Sequence, residues 1–129
     1  MHQRLLILGS IYGMTAVILG AFGAHGLEKI LDTSSLETFE VGVRYQFYHA
    51  LFALVLGATN FLQNKTKNSV FYLLLVGQIL FSGSIYLLAT NSLTQIDFTS
   101  IAFSTPIGGL LLIISWLLVL IKAIKYKKG

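Results

Sequence analysis

Four long apolar segments constrain the fold of this chain more than any other feature. A helix needs about 20 predominantly apolar residues to cross a hydrocarbon core about 30 Å thick. Segments of that character lie at about 5–25, 44–62, 70–90 and 101–121. The sequence therefore predicts an all-α integral membrane protein, with residues 1–129 forming a single transmembrane domain built as an up-and-down bundle of four helices.

The composition argues against a water-soluble protein. Of the 129 residues, 55% are hydrophobic and 11% are charged, whereas about 25% of the residues in an average soluble domain are charged. The chain has no cysteine, so disulfides and thiolate metal sites are excluded. The net charge of +4 is spread over short segments between apolar runs. A nucleic-acid binder would instead carry a basic face interleaved with aromatic residues, so no nucleic-acid partner is predicted.

The basic residues predict the orientation of the chain. Lys and Arg collect in the cytoplasmic loops of membrane proteins. Counted against four spans, only Lys29 and Arg44 fall on one side, and seven basic residues fall on the other. Those seven are Arg4, Lys65, Lys67, Lys122, Lys125, Lys127 and Lys128. We therefore expect a multi-pass protein of the cell (plasma) membrane with both termini in the cytoplasm.

The segment before the second span is predicted to be helical. Ser34 and Glu37 match the S-x-x-E capping box, in which two side chains bond the free N–H groups at a helix start. A helix that begins there is expected to continue past Arg44 into the second span.

Small residues form a stripe along the first span, at the spacing of one helix face: Gly9, Gly13, Ala16, Gly20 and Gly23. Helices in lipid associate through such small residues because their backbones can approach closely. The stripe predicts a packing face. Another helix of the same chain is favoured as its partner, and a second copy of the protein is the alternative.

Two histidines are predicted near the outer boundary of the membrane. His25 ends the first span and His49 lies near the start of the second, so similar depths are expected. Ionisable residues in membrane helices are costly and often functional, which raises the hypothesis of a paired site for haem, a metal ion or a quinone carbonyl. The alternative is that each histidine bonds a carbonyl or carboxylate at the interface. On an ideal helix His25 projects nearly opposite the small-residue stripe, so the paired site depends on which face looks inward.

Other candidate residues lie near the predicted membrane boundaries. Arg44 is followed by Tyr45, and cations and aromatic residues anchor helices in the interfacial region. Alternatively, the Arg44 guanidinium binds a lipid phosphate or another anionic ligand in two-point fashion. Trp116 is interpreted as an anchor at the inner end of the fourth span.

Two further groups of polar and small residues lie on the third and fourth spans. Gln78 and Ser82 are one turn apart near mid-membrane, where an unpaired amide would be costly, so they are expected to face the bundle interior. Thr105, Gly108 and Gly109 begin the fourth span. These glycines permit close approach of a neighbouring helix or of a ligand, and packing is the favoured interpretation.

Several enzyme and transporter classes lack their signatures in this sequence. No Asp or Glu lies within the four apolar segments, which disfavours a proton-coupled exporter that relies on a membrane carboxylate. The chain contains neither a G-x-x-x-x-G-K phosphate loop nor an H-E-x-x-H pair. We therefore expect a protein that is not an enzyme, with no catalytic residues and no cofactor.

Four short motifs resemble one family: GAFGAHGL at 20–27, YQFYHAL at 45–51, FSGSIY at 81–86 and TPIGG at 105–109. In this order they are similar to domain-of-unknown-function family 423, small bacterial membrane proteins with distant similarity to a small animal transmembrane protein. The resemblance implies a four-span inner-membrane protein and no particular activity, substrate or cofactor. Family members often have glycine where this chain has Ser115. The motif residues with functional potential are His25, Tyr45, His49, Ser82, Gly83, Thr105, Pro106, Gly108 and Gly109.

Three functional hypotheses follow from the sequence. The favoured one is a non-enzymatic membrane component that binds membrane lipids, another membrane protein or itself as a homo-oligomer. The second is a small-molecule carrier or channel, and the third is a haem- or quinone-linked redox protein that uses His25 and His49. Any site is expected in the outer half of the bundle, where the candidate residues of three helices meet.

Overall fold

The computed structural model describes residues 1–94, 97 and 99–127, and within them all regular structure is helical. Long helices alternate with short turns, and the helical stretch from Asn64 to Ala89 contains a π-helical segment over Ile79–Gly83. The helices are α1 Gln3–His25, α2 Thr33–Ala58, α3 Asn64–Gln78, α4 Ser84–Ala89 and α5 Ser104–Lys125. The π-helical segment joins α3 directly to α4, and we call this continuous helical stretch the third rod. With α1, α2 and α5 as the other three, the described residues form four helical rods.

Helices α1 and α2 pack as an antiparallel pair through the predicted small-residue stripe. A Cβ placed on Gly9 would come within 2.8 Å of the Ala50 carbonyl oxygen, and one on Gly23 would come within 3.1 Å of the Phe39 ring. Gly13 lies opposite Ala50 as well, at 3.7 Å from its Cβ. The stripe therefore faces α2 of the same chain along most of the length of α1.

Helix α5 packs against α3 and the π-helical segment through a second set of small residues. A Cβ on Gly108 would lie 2.4 Å from the backbone nitrogen of Phe81 and 2.7 Å from the Gly77 carbonyl oxygen. Ser84 Oγ and Thr105 Oγ1 bond at 2.5 Å near the start of α5. Only Gly108, Leu112 and Ser115 of α5 are buried, so this helix contributes one narrow strip to the interior.

Three segments in the described part of the chain are long and apolar enough to cross a membrane: Gln3–Lys29, Asn64–Ala89 and Thr99–Lys125. Helix α2 is 26 residues long but is not among them. Its first half carries Glu37, Glu40 and Arg44, all exposed, and these charges lower its apolar character. The structure thus supports an all-helical protein with three apolar candidate spans.

The start of α2 differs from the predicted capping box. The Asp32 side chain accepts a hydrogen bond from the Ser35 backbone N–H at 2.7 Å and caps the helix, so the prediction that Ser34 and Glu37 form the cap is wrong. Asp is among the best N-cap residues, and it precedes Ser34 by two positions. The helix does continue past Arg44 as predicted, and it ends at Ala58, four residues before the predicted end of the second span.

Two apolar clusters lie at opposite ends of the molecule. One joins α1, α2 and α3 through residues such as Leu5, Leu56 and Leu74. The other lies near the turn between α1 and α2 and includes Leu27 and Phe39. Between them the helices meet through buried polar side chains, and these form the candidate site.

Candidate functional site

His49 lies in the middle of α2 and is 5% exposed. Its Nδ1 lies 2.7 Å from the Tyr45 carbonyl oxygen, and its Nε2 accepts a hydrogen bond from the Trp116 indole Nε1 at 3.0 Å. This pattern assigns the ring proton to Nδ1, since a carbonyl can only accept and an indole N–H can only donate. Both ring nitrogens of His49 are therefore engaged within the protein.

Trp116 links α5 to α2. Its ring stacks on Phe52 with centroids 3.8 Å apart while the indole N–H bonds His49. Since α5 extends to Lys125, Trp116 lies nearer the middle of its helix than the predicted span suggested. The interpretation of Trp116 as no more than an inner-end anchor is therefore incomplete.

A groove of about 360 Å³ opens beside the His49–Trp116 bond. We call it the aromatic groove; its main lining residues are Tyr45, His49, Phe81, Gly109, Leu112 and Trp116. Tyr45 and Phe81 meet edge to face, with centroids 5.2 Å apart. A Cβ on Gly109 would stay 3.6 Å from the Phe81 ring, so this glycine keeps the groove open without being required for helix contact. The groove is apolar except at its histidine and tyrosine.

A second hollow, of about 310 Å³, lies among α1, α2 and the third rod. We call it the amide cavity; its polar lining residues are Tyr12, Thr15, Gln46, Gln78, Ser82 and Tyr86. The amide of Gln46 donates to the Tyr12 carbonyl oxygen at 3.0 Å and to Thr15 Oγ1 at 2.6 Å. Its Oε1 accepts from the Tyr86 hydroxyl at 2.6 Å. Gln46 therefore ties α1, α2 and α4 together.

The third rod contributes its own polar chain to this cavity. Gln78 Nε2 donates to Ser82 Oγ, and Ser82 Oγ donates to the Gly42 carbonyl oxygen of α2 at 2.7 Å. Gln78 and Ser82 are 2% and 1% exposed, so both face the bundle interior, as the sequence predicted.

The two predicted histidines do not meet. The contacts that place Gly13 opposite Ala50 and Gly23 opposite Phe39 put His49 level with Gly13. His25 is twelve residues further along α1 than Gly13, about 18 Å at 1.5 Å per residue. The prediction of similar depth is wrong because α2 starts at Thr33, and its first three turns lie at the level where His49 was expected.

The remaining predicted residues divide between packing and surface. His25 and Arg44 are exposed, and Arg44 borders a shallow pocket of about 170 Å³ with Gly20 and Gly23. Thr105 bonds Ser84, and Gly108 packs against the third rod. Of the candidate residues, the structure brings Tyr45, His49 and Gly109 to the aromatic groove, and Gln78 and Ser82 to the amide cavity.

The amino-terminal residues close the opposite end of the bundle. The His2 backbone N–H donates to the Gly57 carbonyl oxygen at 2.8 Å, and His2 Nε2 lies 2.8 Å from Asn68 Oδ1. Lys67 is 2% exposed and donates to the Thr59 carbonyl oxygen at 2.5 Å, just beyond α2. A cation is favourable at the C-terminal end of a helix. These contacts stabilise the end remote from His25, where a shallow polar pocket of about 280 Å³ is lined by residues that include His2, Arg4 and Asn68.

A metal centre requires several ligating side chains close together. Among the described residues, no three His, Asp or Glu side chains are close enough to hold a metal ion together. His49 uses both of its nitrogens and His25 lies far from it, so the two do not form the paired site that the sequence suggested.

The sequence comparisons assign this arrangement to a family. The family described as "Protein of unknown function (DUF423)" matches residues 19–109. The chain belongs to the DUF423 family. That match includes Tyr45, Gln46, His49, Gln78 and Ser82, and ends at Gly109.

Relatives of this DUF423 chain are similar over nearly their whole lengths. "UPF0382 membrane protein YwdK" of Bacillus subtilis is 41% identical over 126 residues, which cover 94% of this chain and 96% of the relative. "UPF0382 membrane protein SSP2132" of Staphylococcus saprophyticus is 44% identical over 120 residues, 93% and 96% of the two chains. "UPF0382 inner membrane protein YgdD" of Escherichia coli K12 is 37% identical over 129 residues, 96% and 92%. No solved structure matches.

These names and the apolar helices together identify this DUF423 chain as a membrane protein. The residues that sequence reasoning missed are mainly Tyr12, Gln46 and Tyr86. Tyr86 does carry a signal, since Gln78, Ser82 and Tyr86 follow one another at four-residue intervals on one helix face. Gln46 lies within the YQFYHAL motif but shows no comparable spacing, because its partners lie on two other helices.

Proposed function

We propose that this protein is a non-enzymatic membrane component that binds the apolar chain of a membrane lipid in the aromatic groove. The observation that carries the proposal is the groove itself, a cleft of about 360 Å³ between α2 and α5. Small-molecule sites are typically concave and apolar, with a few placed polar groups. The aromatic groove has that character.

The proposal places the protein across the plasma membrane four times, with α2 as the remaining span. Helix α2 has 26 residues, about 39 Å at 1.5 Å per residue. It runs beside α1 from Gly57, which packs on Leu5, to Phe39, which packs on Gly23. Because α1 is apolar enough to span, a helix that follows it over this length crosses the same layer. The charges of α2 then lie in its first half, and its polar residues Gln46 and His49 are buried inward.

The same arrangement supports cytoplasmic termini. The end that carries His2 and the α2–α3 turn also carries Arg4, Lys65 and Lys67, and α5 ends near Lys122 and Lys125. The opposite end carries Asp32, Glu37, Glu40 and Asp97. Positively charged residues favour the cytoplasmic side.

The lining of the aromatic groove favours binding over catalysis. Tyr45 and Trp116 are 43% and 47% exposed, so their rings are reachable from the bilayer side of the helices. His49 is committed to Tyr45 and Trp116, which leaves neither nitrogen as a free base or ligand. A lipid chain needs only apolar contact, and aromatic rings supply a large contact area.

The test uses Trp116 as its own reporter, because it is the only tryptophan in the chain. Purified protein in mild detergent is titrated with a phospholipid brominated on one acyl chain, since bromine quenches indole fluorescence on contact. We expect saturable quenching with about one lipid per chain. Gly109→Leu, which fills the groove, is expected to weaken the apparent affinity about tenfold.

The matched control is Leu110→Phe, which adds bulk to the neighbouring residue, itself 56% exposed on the outer surface of α5. This variant is expected to bind like the wild type. If all three proteins are quenched equally and without saturation, the lipid contacts only the outer surface and the proposal is wrong.

A further inference from the structure

The amide cavity has a structural feature that the lipid-binding proposal does not use. Its wall includes the π-helical segment Ile79–Gly83, and π-helical turns inside α-helices frequently occur at functional sites. Ile11 and Ile79 at its edge are 48% and 58% exposed. The cavity is therefore open toward the bilayer, and a membrane-dissolved molecule can enter it from the side.

The hydroxyl donors that line the cavity are already paired. Tyr12 donates to the Leu75 carbonyl oxygen at 2.8 Å and Thr15 donates to the Ile11 carbonyl oxygen at 2.8 Å. Ser82 and Tyr86 donate to Gly42 and Gln46 as described above. None of these hydroxyl protons is free for another acceptor.

One acceptor on a residue that lines the cavity has no partner. Gln78 is 2% exposed, and its Oε1 is the one buried side-chain nitrogen or oxygen of the described residues that lacks a hydrogen bond. Reversing the amide does not remove the problem, because it would exchange the unpaired oxygen for an unpaired N–H. The observed orientation also lets Ser82 accept from Gln78 and donate to Gly42 at once.

An unpaired acceptor such as Gln78 Oε1 costs free energy at this depth in the membrane. The bond from Tyr12 to Leu75 sets the level of α3 against the middle of α1, and Gln78 lies three residues beyond Leu75. Water is scarce in the bilayer core, and polar groups there need a partner. The unpaired Oε1 is therefore the group in this region that would gain most from an O–H or N–H donor.

The charge of the ligand follows from the lining. None of the residues lining the amide cavity is Lys, Arg, His, Asp or Glu, so an ion would enter without a counter-charge. We propose that the amide cavity is a second binding site, which takes a neutral amphiphile through a hydroxyl group donated to Gln78 Oε1. The apolar body of the ligand lies toward Ile11 and Ile79.

The test compares two photoreactive probes that differ by one hydrogen-bond donor, a diazirine-bearing decanol and its methyl ether. Protein in lipid nanodiscs is photolabelled over a range of probe concentrations, and the modified residues are mapped by mass spectrometry. We expect saturable labelling around Ile11 and Ile79, with the alcohol about tenfold tighter than the ether, since one buried hydrogen bond contributes about one decade of affinity.

Three variants separate the possible causes. Gln78→Leu removes the acceptor and is expected to bring the alcohol down to the affinity of the ether. Gly83→Leu keeps Gln78 and fills space, because a Cβ on Gly83 meets nothing within 4 Å; it is expected to abolish labelling by both probes. Gly109→Leu, which blocks the aromatic groove, is expected to change nothing here, so failure of one site is distinguishable from failure of the other.

The proposal is overturned by any of three outcomes. The first is equal affinity for alcohol and ether, and the second is an alcohol preference that survives in Gln78→Leu. The third is an absence of labelling in the cavity, which would leave water as its occupant. The unfolding temperature of each variant is measured alongside, and Gly83→Leu provides the answer should Gln78→Leu fail to fold.

Discussion

The contacts within the two helix pairs differ from the contacts between the pairs. Within the pairs α1–α2 and α3–α5, glycines bring backbones together so closely that an added Cβ would overlap, at 2.8 Å for Gly9 and 2.4 Å for Gly108. Between the pairs, Gly42 meets the side chain of Tyr86 rather than a backbone. Contact there depends on hydrogen bonds such as Tyr86 to Gln46 and Tyr12 to Leu75, and on the Trp116–His49 link. The aromatic groove and the amide cavity both lie at these looser boundaries.

The two kinds of contact have different effects on the bundle. Apolar side chains gain little by leaving lipid for another apolar surface, so close backbone packing provides much of the attraction between membrane helices. Polar bonds between the pairs fix their relative position but do not fill all the space. Room for ligands therefore arises between the pairs, whereas the glycine contacts hold each pair together.

The largest effect is expected for an added side chain at Gly108. In Gly108→Val the new Cβ would meet the backbone of Phe81 and Gly77, which cannot move aside cheaply. We expect a loss of about 3 kcal/mol in the free energy of unfolding, measured by denaturant titration in detergent. The neighbouring Gly109→Ala is the control, since its Cβ would lie in ordinary contact at 3.6 Å. Equal stability of the two variants would contradict close packing of α5 on α3.

A smaller loss is expected when Gln46 is replaced, because its amide bonds both to α1 within its own pair and to α4 across the pairs. Gln46→Leu eliminates the bonds to Tyr12, Thr15 and Tyr86. At about 0.6 kcal/mol for each bond in a membrane protein, the loss in unfolding free energy is about 2 kcal/mol.

Its control, Tyr86→Phe, removes one of these bonds and is expected to lose about 1 kcal/mol, since the Gln46 oxygen is then left unpaired. Should Tyr86→Phe be as stable as the wild type, the polar contact between the pairs would not stabilise the bundle.

Trp116→Phe tests the other link between the pairs. Phenylalanine keeps an aromatic ring against Phe52 and loses the N–H that bonds His49. We expect a destabilisation of about 0.6 kcal/mol and a change in the ¹⁵N shift of His49 Nε2 in NMR spectra. The Nδ1 signal, bonded to Tyr45, should stay in place. An unchanged Nε2 shift would show that Trp116 does not bond this histidine.

The smallest effect concerns the turn that joins α1 to α2. Hydrogen bonds from Ser35 hold the pKa of Asp32 below its ordinary value of 3.8. A carboxylate with a lowered pKa in the folded state stabilises it above the pKa of the unfolded chain, and that contribution is lost as pH falls through the folded pKa. We expect the unfolding temperature to fall slightly more steeply below about pH 4 in the wild type than in Asp32→Asn. An identical pH profile for the variant would show that the Asp32 carboxylate does not stabilise the folded state.

Much of the fold was predictable because apolar segment length and small-residue spacing are local properties of a sequence. The stripe on α1 and the continuation of α2 past Arg44 both followed from such patterns. The depth of His49 did not, because it depends on where α2 begins in space relative to the end of α1. The predicted second span, at about 44–62, placed the first turns of α2 outside the membrane. In the structure these turns pack beside Gly20 and Gly23.

The candidate sites were predictable only in part for a related reason. Gln78 and Ser82 share one helix face, so their inward direction could be inferred from a single rod. The Gln46 network and the Trp116–His49 bond join residues separated by 31 to 67 positions. The spacing of residues within one helix gives no information about partners on other helices.

The π-helical segment Ile79–Gly83 also bears on how chains of this family change in length. A π turn holds one residue more than the α turn it replaces, so deleting one residue here would restore a regular α-helix without breaking the rod. Because the π turn already accommodates the extra residue, the residues beyond the deletion would keep their direction. Ser84 would still reach Thr105, and Tyr86 would still reach Gln46. A one-residue gap at this point would leave the four rods and their hydrogen bonds in place and change only the wall of the amide cavity between Ile79 and Gly83.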